Sequence, residues 1–300
     1  MIVTWAAPDD AGSPITGFIL TFRKSDESTF SPELVNCDMT SSTDVTCTLP
    51  VSVLKAEPFS LPWGASVFAK VVATNAYGNS VESLSGNGAV ITVTPDPPTD
   101  LNEDYSQRTK STLAFTWLAP VFTGGAVIID YRVSIAEQGQ AFTTLASGVT
   151  DLTYKATGLT FGTTYEFKVE ARNSYSYSGY SDVLTMLCAF KPDPPLTVTT
   201  ENVNELVKVA WDEPIANGSP ITGFRILVLE HDGVTYTQES EQCDGTDATI
   251  ISTRICFITL QSLRAEPYLL VKDNSVHVKI ISENFYGDSV ESVAGNGAVI

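Results

Sequence analysis

The chain has 300 residues, of which 43% are apolar and 17% charged, and its net charge at pH 7 is −18. This composition is typical of two or three folded globular domains. The acidic balance argues against a nucleic acid or an anionic membrane as partner, because both need clustered Lys and Arg, and no apolar run reaches the roughly 18 residues of a membrane span.

Short runs rich in Val, Ile, Thr, Phe and Tyr follow one another along the whole chain, and Gly, Pro, Asn and Asp separate them. Runs of this kind are typical of β-strands joined by turns. No stretch keeps the apolar spacing of three and four residues over a helical length. The sequence therefore predicts an all-β fold.

Long internal repeats organise these strands. "GSPITGF" stands at residues 12–18 and again at 218–224, and "NAYGNSVESLSGNGAVI" at 75–91 returns as "NFYGDSVESVAGNGAVI" at 284–300. Because "TPDPP" at 94–98 and "KPDPP" at 191–195 separate the copies as short semi-rigid linkers, we predict domains at residues 1–94, 95–191 and 192–300. Each copy has a Trp, a Pro three residues later and a late Asn before a turn: Trp5, Pro8 and Asn75; Trp117, Pro120 and Asn173; Trp211, Pro214 and Asn284.

These landmarks resemble those of fibronectin type III domains. The matching features are the Trp of the second strand with its "W-x-x-P" exit, "GSPITGF" before the third strand, and "A-x-N-x-x-G" before the last hairpin. In "LTFGTTY", Leu159 and Tyr165 match the tyrosine corner of the family. The resemblance implies three tandem fibronectin type III-like (immunoglobulin-like) β-sandwiches in an extended array. The repeats also look similar to arrays in protist (ciliate-like) surface proteins.

The outer copies depart from the family pattern. Residue 1 falls in what should be a second strand, with no counterpart of "PPTDL" or "PPLTV", so the first domain is expected to lack its first strand and the chain to be a window of a longer array. Twelve residues separate Leu54 from Val67, and twelve separate Leu263 from Val276, where the middle copy has five. The chain therefore alternates between a type A, a type B and a type A domain.

The cysteines indicate an oxidising compartment. Cys37 with Cys47, and Cys243 with Cys256, flank a polar turn at the same place in both type A copies. This recurrence favours a local disulfide in each copy over buried thiols, and hence an extracellular or cell-surface location. Cys188 is predicted to be a core residue, with an intermolecular bridge as the alternative.

Asn217-Gly218-Ser219 is a glycosylation sequon in a predicted surface loop, which makes Asn217 a glycosylation candidate.

Catalytic patterns are not found in the sequence. His231 and His277 are its histidines, and no nucleophile, zinc or phosphate-loop spacing accompanies them. We therefore predict no enzymatic activity, no cofactor and no metal site. Loop carboxylates such as Asp9, Asp10, Glu103 and Asp104 could bind calcium, but solvated acidic loops are the ordinary explanation.

Apolar side chains in loops are the best functional signal. In the family topology the E–F loop lies where the chain leaves a domain, at its C-terminal pole, and the B–C and F–G loops lie at the N-terminal pole. We expect the E–F inserts to pack on the next domain; alternatively, they fill their own sandwich where the corner tyrosine is missing. The candidates are Pro58, Phe59, Leu61, Trp63, Pro267, Tyr268, Leu269 and Leu270 in the inserts, and Val121, Phe122, Tyr175 and Tyr177 in the middle domain.

Together these features predict a non-catalytic extracellular structural or adhesive segment, acting as a stiff spacer, stalk or filament subunit. Its partners would be neighbouring repeats of the same protein, within or between chains. One alternative is an intracellular scaffold, since "PDDAGSPITGF" also resembles titin-like repeats. The other is an accessory module of a secreted enzyme that binds carbohydrate through Trp63 or Tyr177.

Overall fold

A computed structural model describes residues 1–86 and 88–300 of the chain. Across these residues the buried apolar side chains gather in three separate cores, and each core draws its members from a different predicted domain. We call the segments module 1 (1–94), module 2 (95–191) and module 3 (192–300). Apolar side chains at alternate positions of the strands build the cores, because successive side chains point to opposite faces of a sheet. In module 1, for example, Phe18, Leu20 and Phe22 are buried along one strand.

Module 2 is a sandwich of two antiparallel sheets. Its strands are β9 (Thr99–Glu103), β10 (Thr112–Leu118), β11 (Asp130–Glu137), β12 (Thr143–Val149), β13 (Thr153–Thr157), β14 (Thr164–Arg172) and β15 (Leu184–Leu187), with a 3₁₀ turn at Tyr105–Gln107. One sheet has the order β13-β10-β9 and the other the order β12-β11-β14-β15.

Module 3 repeats this sandwich. Its strands are β16 (Val198–Val203), β17 (Leu206–Trp211), β18 (Ile221–Leu229), β19 (Tyr236–Gln238), β20 (Ile255–Thr259), β21 (Ser275–Val276), β22 (Val278–Asn284), β23 (Gly287–Asp288) and β24 (Ala298–Val299); its helices are α2 (Ala248–Thr253) and α3 (Leu260–Arg264). The sheets have the orders β16-β17-β20 and β19-β18-β22-β23, and β21 pairs with β24 beside them.

Module 1 differs in the sheet that contains its first strand. Its elements are β1 (Ile2–Thr4), β2 (Gly17–Arg23), β3 (Phe30–Pro32), β4 (Thr46–Thr48), α1 (Val51–Lys55), β5 (Ser66–Val67), β6 (Ala69–Asn75), β7 (Gly78–Asn79) and β8 (Ala89–Val90). Among the residues described, β1 pairs with β4 alone, whereas β10 and β17 each lie between two partners. The described residues of module 1 therefore contain no strand equivalent to β9 or β16.

The three short helices were not anticipated from the sequence. Helices α1 and α3 begin the E–F segments of modules 1 and 3, and each buries one leucine completely, Leu54 or Leu263. A helix of five residues is too short for an apolar period to show, so tertiary packing stabilises it rather than local propensity. Helix α2 lies between Cys243 and Cys256, where the second type A copy is longer than the first.

Other expectations about local structure are confirmed. Disulfides join Cys37 to Cys47 and Cys243 to Cys256, with Cα atoms 5.8 and 5.4 Å apart. In module 2 the Thr160 N–H donates to the Tyr165 hydroxyl at 3.1 Å, which ties the ring to the backbone as the tyrosine corner implies.

Candidate functional site at the module junctions

Each module presents the same strained loop at its N-terminal pole. In the B–C loop a residue with positive φ is followed by a glycine with positive φ. This left-handed conformation is unfavourable for residues with a β-carbon, so tertiary contacts must maintain it. The pairs and their φ angles are Ala11 (53°) with Gly12 (82°), Gly124 (71°) with Gly125 (82°), and Asn217 (51°) with Gly218 (87°).

The glycine of this loop touches the backbone of the preceding module. A β-carbon on Gly125 would overlap the backbone nitrogen of Gly64 in module 1, and a β-carbon on Gly218 would overlap that of Gly162 in module 2. Glycine is therefore required at both positions for close approach as well as for its φ angle. The two junctions bring the E–F segment of one module against the B–C loop of the next.

The linkers are hydrogen-bonded to the module that follows them. At each junction two linker N–H groups donate to carbonyl oxygens of the next B–C loop, in the manner of a short strand pair. The bonds are Val93 to Gly124 (2.9 Å) and Asp96 to Phe122 (3.0 Å) at the first junction, and Phe190 to Asn217 (2.9 Å) and Asp193 to Ile215 (2.9 Å) at the second.

A buried asparagine closes each junction. Asn173 Nδ2 donates to the Val93 carbonyl at 2.7 Å and to the Thr123 carbonyl at 2.8 Å, so one amide joins the linker to the B–C loop. Asn284 Nδ2 likewise donates to the Phe190 carbonyl at 2.9 Å. From the sequence, this asparagine was identified only as a landmark of each copy. Its repetition at the same position was the signal that could have indicated its role at the junctions.

An aromatic contact spans the first junction. The rings of Trp63 in module 1 and Phe122 in module 2 lie 6.2 Å apart at an interplanar angle of 64°, a favourable edge geometry. Lys55 Nζ lies 4.1 Å from the Trp63 ring centroid. The structure thus brings together two of the residues predicted to meet here. In module 3 the position of Trp63 is taken by Lys272, which is exposed.

The rest of the insert folds back into its own module. This placement differs from the prediction that Phe59, Leu61 and Tyr268 contact the next domain. Phe59 is fully buried, and its ring lies 5.9 Å from that of Phe22 in the same core. In module 3 the buried Tyr268 hydroxyl donates to Glu239 Oε2 at 3.0 Å. We attribute the burial of Phe59 and Tyr268 to the missing corner tyrosine, because Val67 and Val276 are too small to fill the space of a tyrosine side chain. Leu61 and Leu270 are buried beside these rings, whereas Pro58, Pro267 and Leu269 are exposed.

In the residues described, the aromatic rings of the module 2 hairpin make no ring contact with Trp63, whose ring contacts Phe122 instead. Tyr177 lies beneath Arg132, whose guanidinium carbon is 4.1 Å from the ring centroid, and close to Arg172 of the same module. Tyr175 is 61% exposed.

Arg108 provides a contact across the second junction that the sequence analysis missed. Its guanidinium carbon lies 4.5 Å from the ring centroid of Tyr286 in module 3. Within module 2 it pairs with Glu103 and donates to the carbonyls of Leu187 (2.6 Å) and Ala189 (2.7 Å). A single Arg in a polar turn carries no sequence pattern, so only the tertiary structure identifies it.

Asn217, the predicted glycosylation candidate, is buried at the second junction. Its Nδ2 atom, to which a glycan would be attached, donates to the Lys191 carbonyl at 2.9 Å and to Asp193 Oδ1 at 3.0 Å. Because Asn217 as a whole is only 2% exposed, the folded junction makes this nitrogen inaccessible. Glycosylation at Asn217 stays a prediction, and it requires the amide to leave the junction.

Cys188 lies in the core of module 2, at the start of the second linker. It is fully buried, its Sγ lies 3.6 Å from the Lys110 carbonyl, and burial raises the pKa of its thiol. A buried thiol with a raised pKa holds its proton and is a poor nucleophile.

The acidic loop residues act as turn caps. Asp9 Oδ1 accepts the Ala11 N–H at 2.7 Å, and Asp10 Oδ1 accepts the Gly12 N–H at 2.8 Å. Asp104 accepts the Ser106 N–H at 3.0 Å. Across residues 1–86 and 88–300, His, Cys, Asp and Glu side chains form no group of three arranged to hold a metal ion. The same residues contain no helix with the length and hydrophobicity of a membrane span.

Comparison with known families identifies the module that lies between the two junctions. A family model described as "Fibronectin type III domain" matches residues 96–186, which cover most of module 2. Fibronectin type-III domain-containing protein 3A of Mus musculus is 28% identical over 236 residues, which is 77% of this chain and 18% of that protein. A Kelch domain-containing protein of Saccharolobus solfataricus is 35% identical over 98 residues, 32% of this chain and 13% of that protein.

Solved structures of tandem domains are also similar. The FN1-FN3 domains of chicken CNTN1 cover 99% of this chain and 93% of that chain, with 14% identity and a TM-score of 0.36. A two-domain fibronectin type III segment of chicken tenascin covers 68% of this chain and 100% of that chain, with 19% identity and a TM-score of 0.37. The chain spans less than a fifth of the length of the curated relatives it matches.

Proposed function

Because residues 96–186 belong to the fibronectin type III family and the flanking modules repeat the same sandwich, we propose that this chain is a non-catalytic extracellular structural segment acting as a stiff spacer. Its function lies in the junctions, which hold successive modules at a defined angle. The partners of each module are its neighbours in the array.

One observation supports this proposal above the others: both linkers are bonded into the following module by the same arrangement. A linker tethered by proline alone would leave its N–H and C=O groups to water. Here Asn173 and Asn284 each bind a linker carbonyl, and linker N–H groups bind the adjacent B–C loop. Such a bonded linker loses freedom to bend, so relative motion of the modules requires several hydrogen bonds to break together.

The extracellular setting is supported by the disulfides of modules 1 and 3, because such bonds form and persist in oxidising compartments. The intracellular scaffold would instead require reduced thiols at these positions. Mass measurement of thiol alkylation on protein isolated from its native source distinguishes the two settings.

The spacer function is tested by replacing Asn173 with Ala. The substitution removes the bonds to the linker and to the B–C loop, and we expect a broader distribution of distances between spin labels placed on modules 1 and 2. Asn284→Ala should broaden the distance between modules 2 and 3 in the same way. Unchanged distributions with all modules folded would refute the stiff spacer.

Asn75→Ala is the matched control for both variants. Asn75 holds the same hairpin position in module 1, where its Oδ1 accepts the Tyr77 N–H at 2.9 Å and its Nδ2 reaches only carbonyls of its own B–C loop. It therefore reports the local cost of losing this side chain. We expect it to leave both intermodule distances unchanged.

A further inference from the structure

The N-terminal pole of module 1 repeats the surface with which module 3 holds module 2. Four positions that form or frame the second junction have the same residue in both modules, at displacements of 206 and 209 residues along the chain. They are Gly12 and Gly218, Ser13 and Ser219, Asn75 and Asn284, and Tyr77 and Tyr286.

The backbone of this pole already has the conformation of a formed junction. Ala11 and Gly12 have φ angles of 53° and 82°, close to the 51° and 87° of Asn217 and Gly218. Asn75 Nδ2 also points to the same loop carbonyls, at 3.4 Å from that of Asp10 and 3.3 Å from that of Ser13. The surface is therefore preorganised, which lowers the entropic cost of binding a partner.

The N-terminal poles of modules 1 and 3 differ in whether another module covers them. Tyr286 is partly covered by Arg108, whereas Tyr77 is 92% exposed. A β-carbon on Gly218 would overlap module 2, but one on Gly12 would meet no atom within 4 Å in the part of the chain that the structure describes. Module 1 therefore has an exposed tyrosine ring and a free close-approach glycine, and the second junction uses the equivalents of both, Tyr286 and Gly218.

The charge at this pole favours a cationic partner. Asp9 and Asp10, both exposed, stand where module 3 has Ile215 and Ala216. An arginine placed over Tyr77 would gain the attraction of the ring and, in addition, that of these carboxylates. In module 3 itself, the turn between its first two strands holds Asn204 and Glu205, so this turn has no residue equivalent to Arg108.

We propose that the N-terminal pole of module 1 is a binding surface for the C-terminal pole of a further module of the module 2 type. The arginine equivalent to Arg108 stacks on Tyr77, and the linker carbonyl equivalent to that of Phe190 accepts from Asn75. This inference rests on the proposed function, because it extends the same junction to a third place.

The test is a fusion chain in which residues 95–206 precede residues 1–300. The fusion is in register because Val207, which follows residue 206, occupies the position of residue 1 in the repeat, so the added segment also supplies a first strand to module 1. Hydroxyl-radical footprinting with mass spectrometry then measures the oxidation rate of Tyr77. We expect this rate to fall several-fold from its value in the 300-residue chain, toward the rate of Tyr286 in the same molecule.

Arg108→Ala in the added copy alone should return Tyr77 to its original rate. This variant could unfold the added module, so a second measurement uses the unsubstituted fusion. Spin-label distances are measured there between the added module and module 1. We expect a narrow distance distribution like that of the native second junction. A fully exposed Tyr77 with a broad distance distribution overturns the inference. The native junctions in that molecule still report on the spacer function, so the two failures are distinguishable.

A second copy of the chain is the competing occupant. Its presence would protect Tyr77 in the 300-residue protein in a concentration-dependent manner, with dimers or larger species in analytical ultracentrifugation. That result would also overturn the inference. In a second copy the C-terminal pole of module 2 is already bound to module 3, so a different surface would be protecting Tyr77.

Discussion

Arg108 of module 2 lies 4.5 Å from the ring centroid of Tyr286 in module 3, while the same guanidinium pairs with Glu103 inside module 2. One side chain thus stabilises a module and a junction. The side chains of Arg108 and Glu103 are 4% and 10% exposed, so each depends on the other for compensation of its charge.

Replacing Arg108 with Met should destabilise module 2 strongly. The change leaves the Glu103 carboxylate buried without its partner, which costs on the order of 3–5 kcal/mol in comparable pairs. Urea unfolding of the whole chain, followed by a probe in module 2, measures the loss. The double variant with Glu103→Gln should recover part of it, and Tyr286→Leu should leave module 2 stability within about 0.5 kcal/mol, as for a surface change.

Phe59→Ala and Trp63→Ala should have separable effects, although both residues belong to one insert. Phe59 is fully buried in the core of module 1, and its truncation should cost about 3–5 kcal/mol of module 1 stability. Trp63 lies at the junction, and its truncation should mainly widen the angle distribution between modules 1 and 2 in X-ray scattering. Equal effects of both variants on stability and on scattering would contradict this division.

Module 3 should lose stability in alkaline solution because of Tyr268. Burial, and then the nearby Glu239 carboxylate, raise the pKa of this phenol above its ordinary value of 10.0. The unfolded chain therefore releases the proton at a pH where the folded module retains it, so the contribution is complete below about pH 10 and falls as the pH rises. Thermal unfolding between pH 8 and 11 measures the slope.

Tyr268→Phe is the control for this alkaline effect, since module 1 already has Phe59 at the equivalent position. The variant should show a shallower fall in stability above about pH 10, the ordinary pKa of the phenol. An unchanged slope would indicate that other groups cause the loss.

Reduction of the disulfides should destabilise modules 1 and 3 and leave module 2 unchanged. The bonds close loops with sequence separations of 10 and 13 residues. Chain entropy predicts a contribution somewhat under about 3 kcal/mol for a loop of this size. Calorimetry with and without reductant measures the shift, and the pair Cys37→Ser with Cys47→Ser should reproduce it for module 1 alone.

The repeat alone revealed the modular organisation, because the landmarks Trp, Pro and Asn recur at nearly constant displacement. Strand pattern, turn residues and cysteine positions are local or periodic features, and these determined the sandwiches and the disulfides. Short helices such as α1 escaped prediction, since a single helical turn has no measurable period. The alternatives for the insert also stayed open, because an apolar loop looks the same whether it covers its own core or its neighbour's.

Only the tertiary structure decided how the modules meet. The sequence placed Trp63 and Phe122 at facing poles, yet it also placed Phe59, Tyr175 and Tyr177 there. Distances in space separate these groups: Phe59 lies in its own core, Tyr177 lies under arginines of its own module, and the second junction depends on Arg108, which no pattern marks. Composition and period record which face of a strand is buried, whereas a contact between modules depends on the direction of individual side chains, which no periodicity encodes.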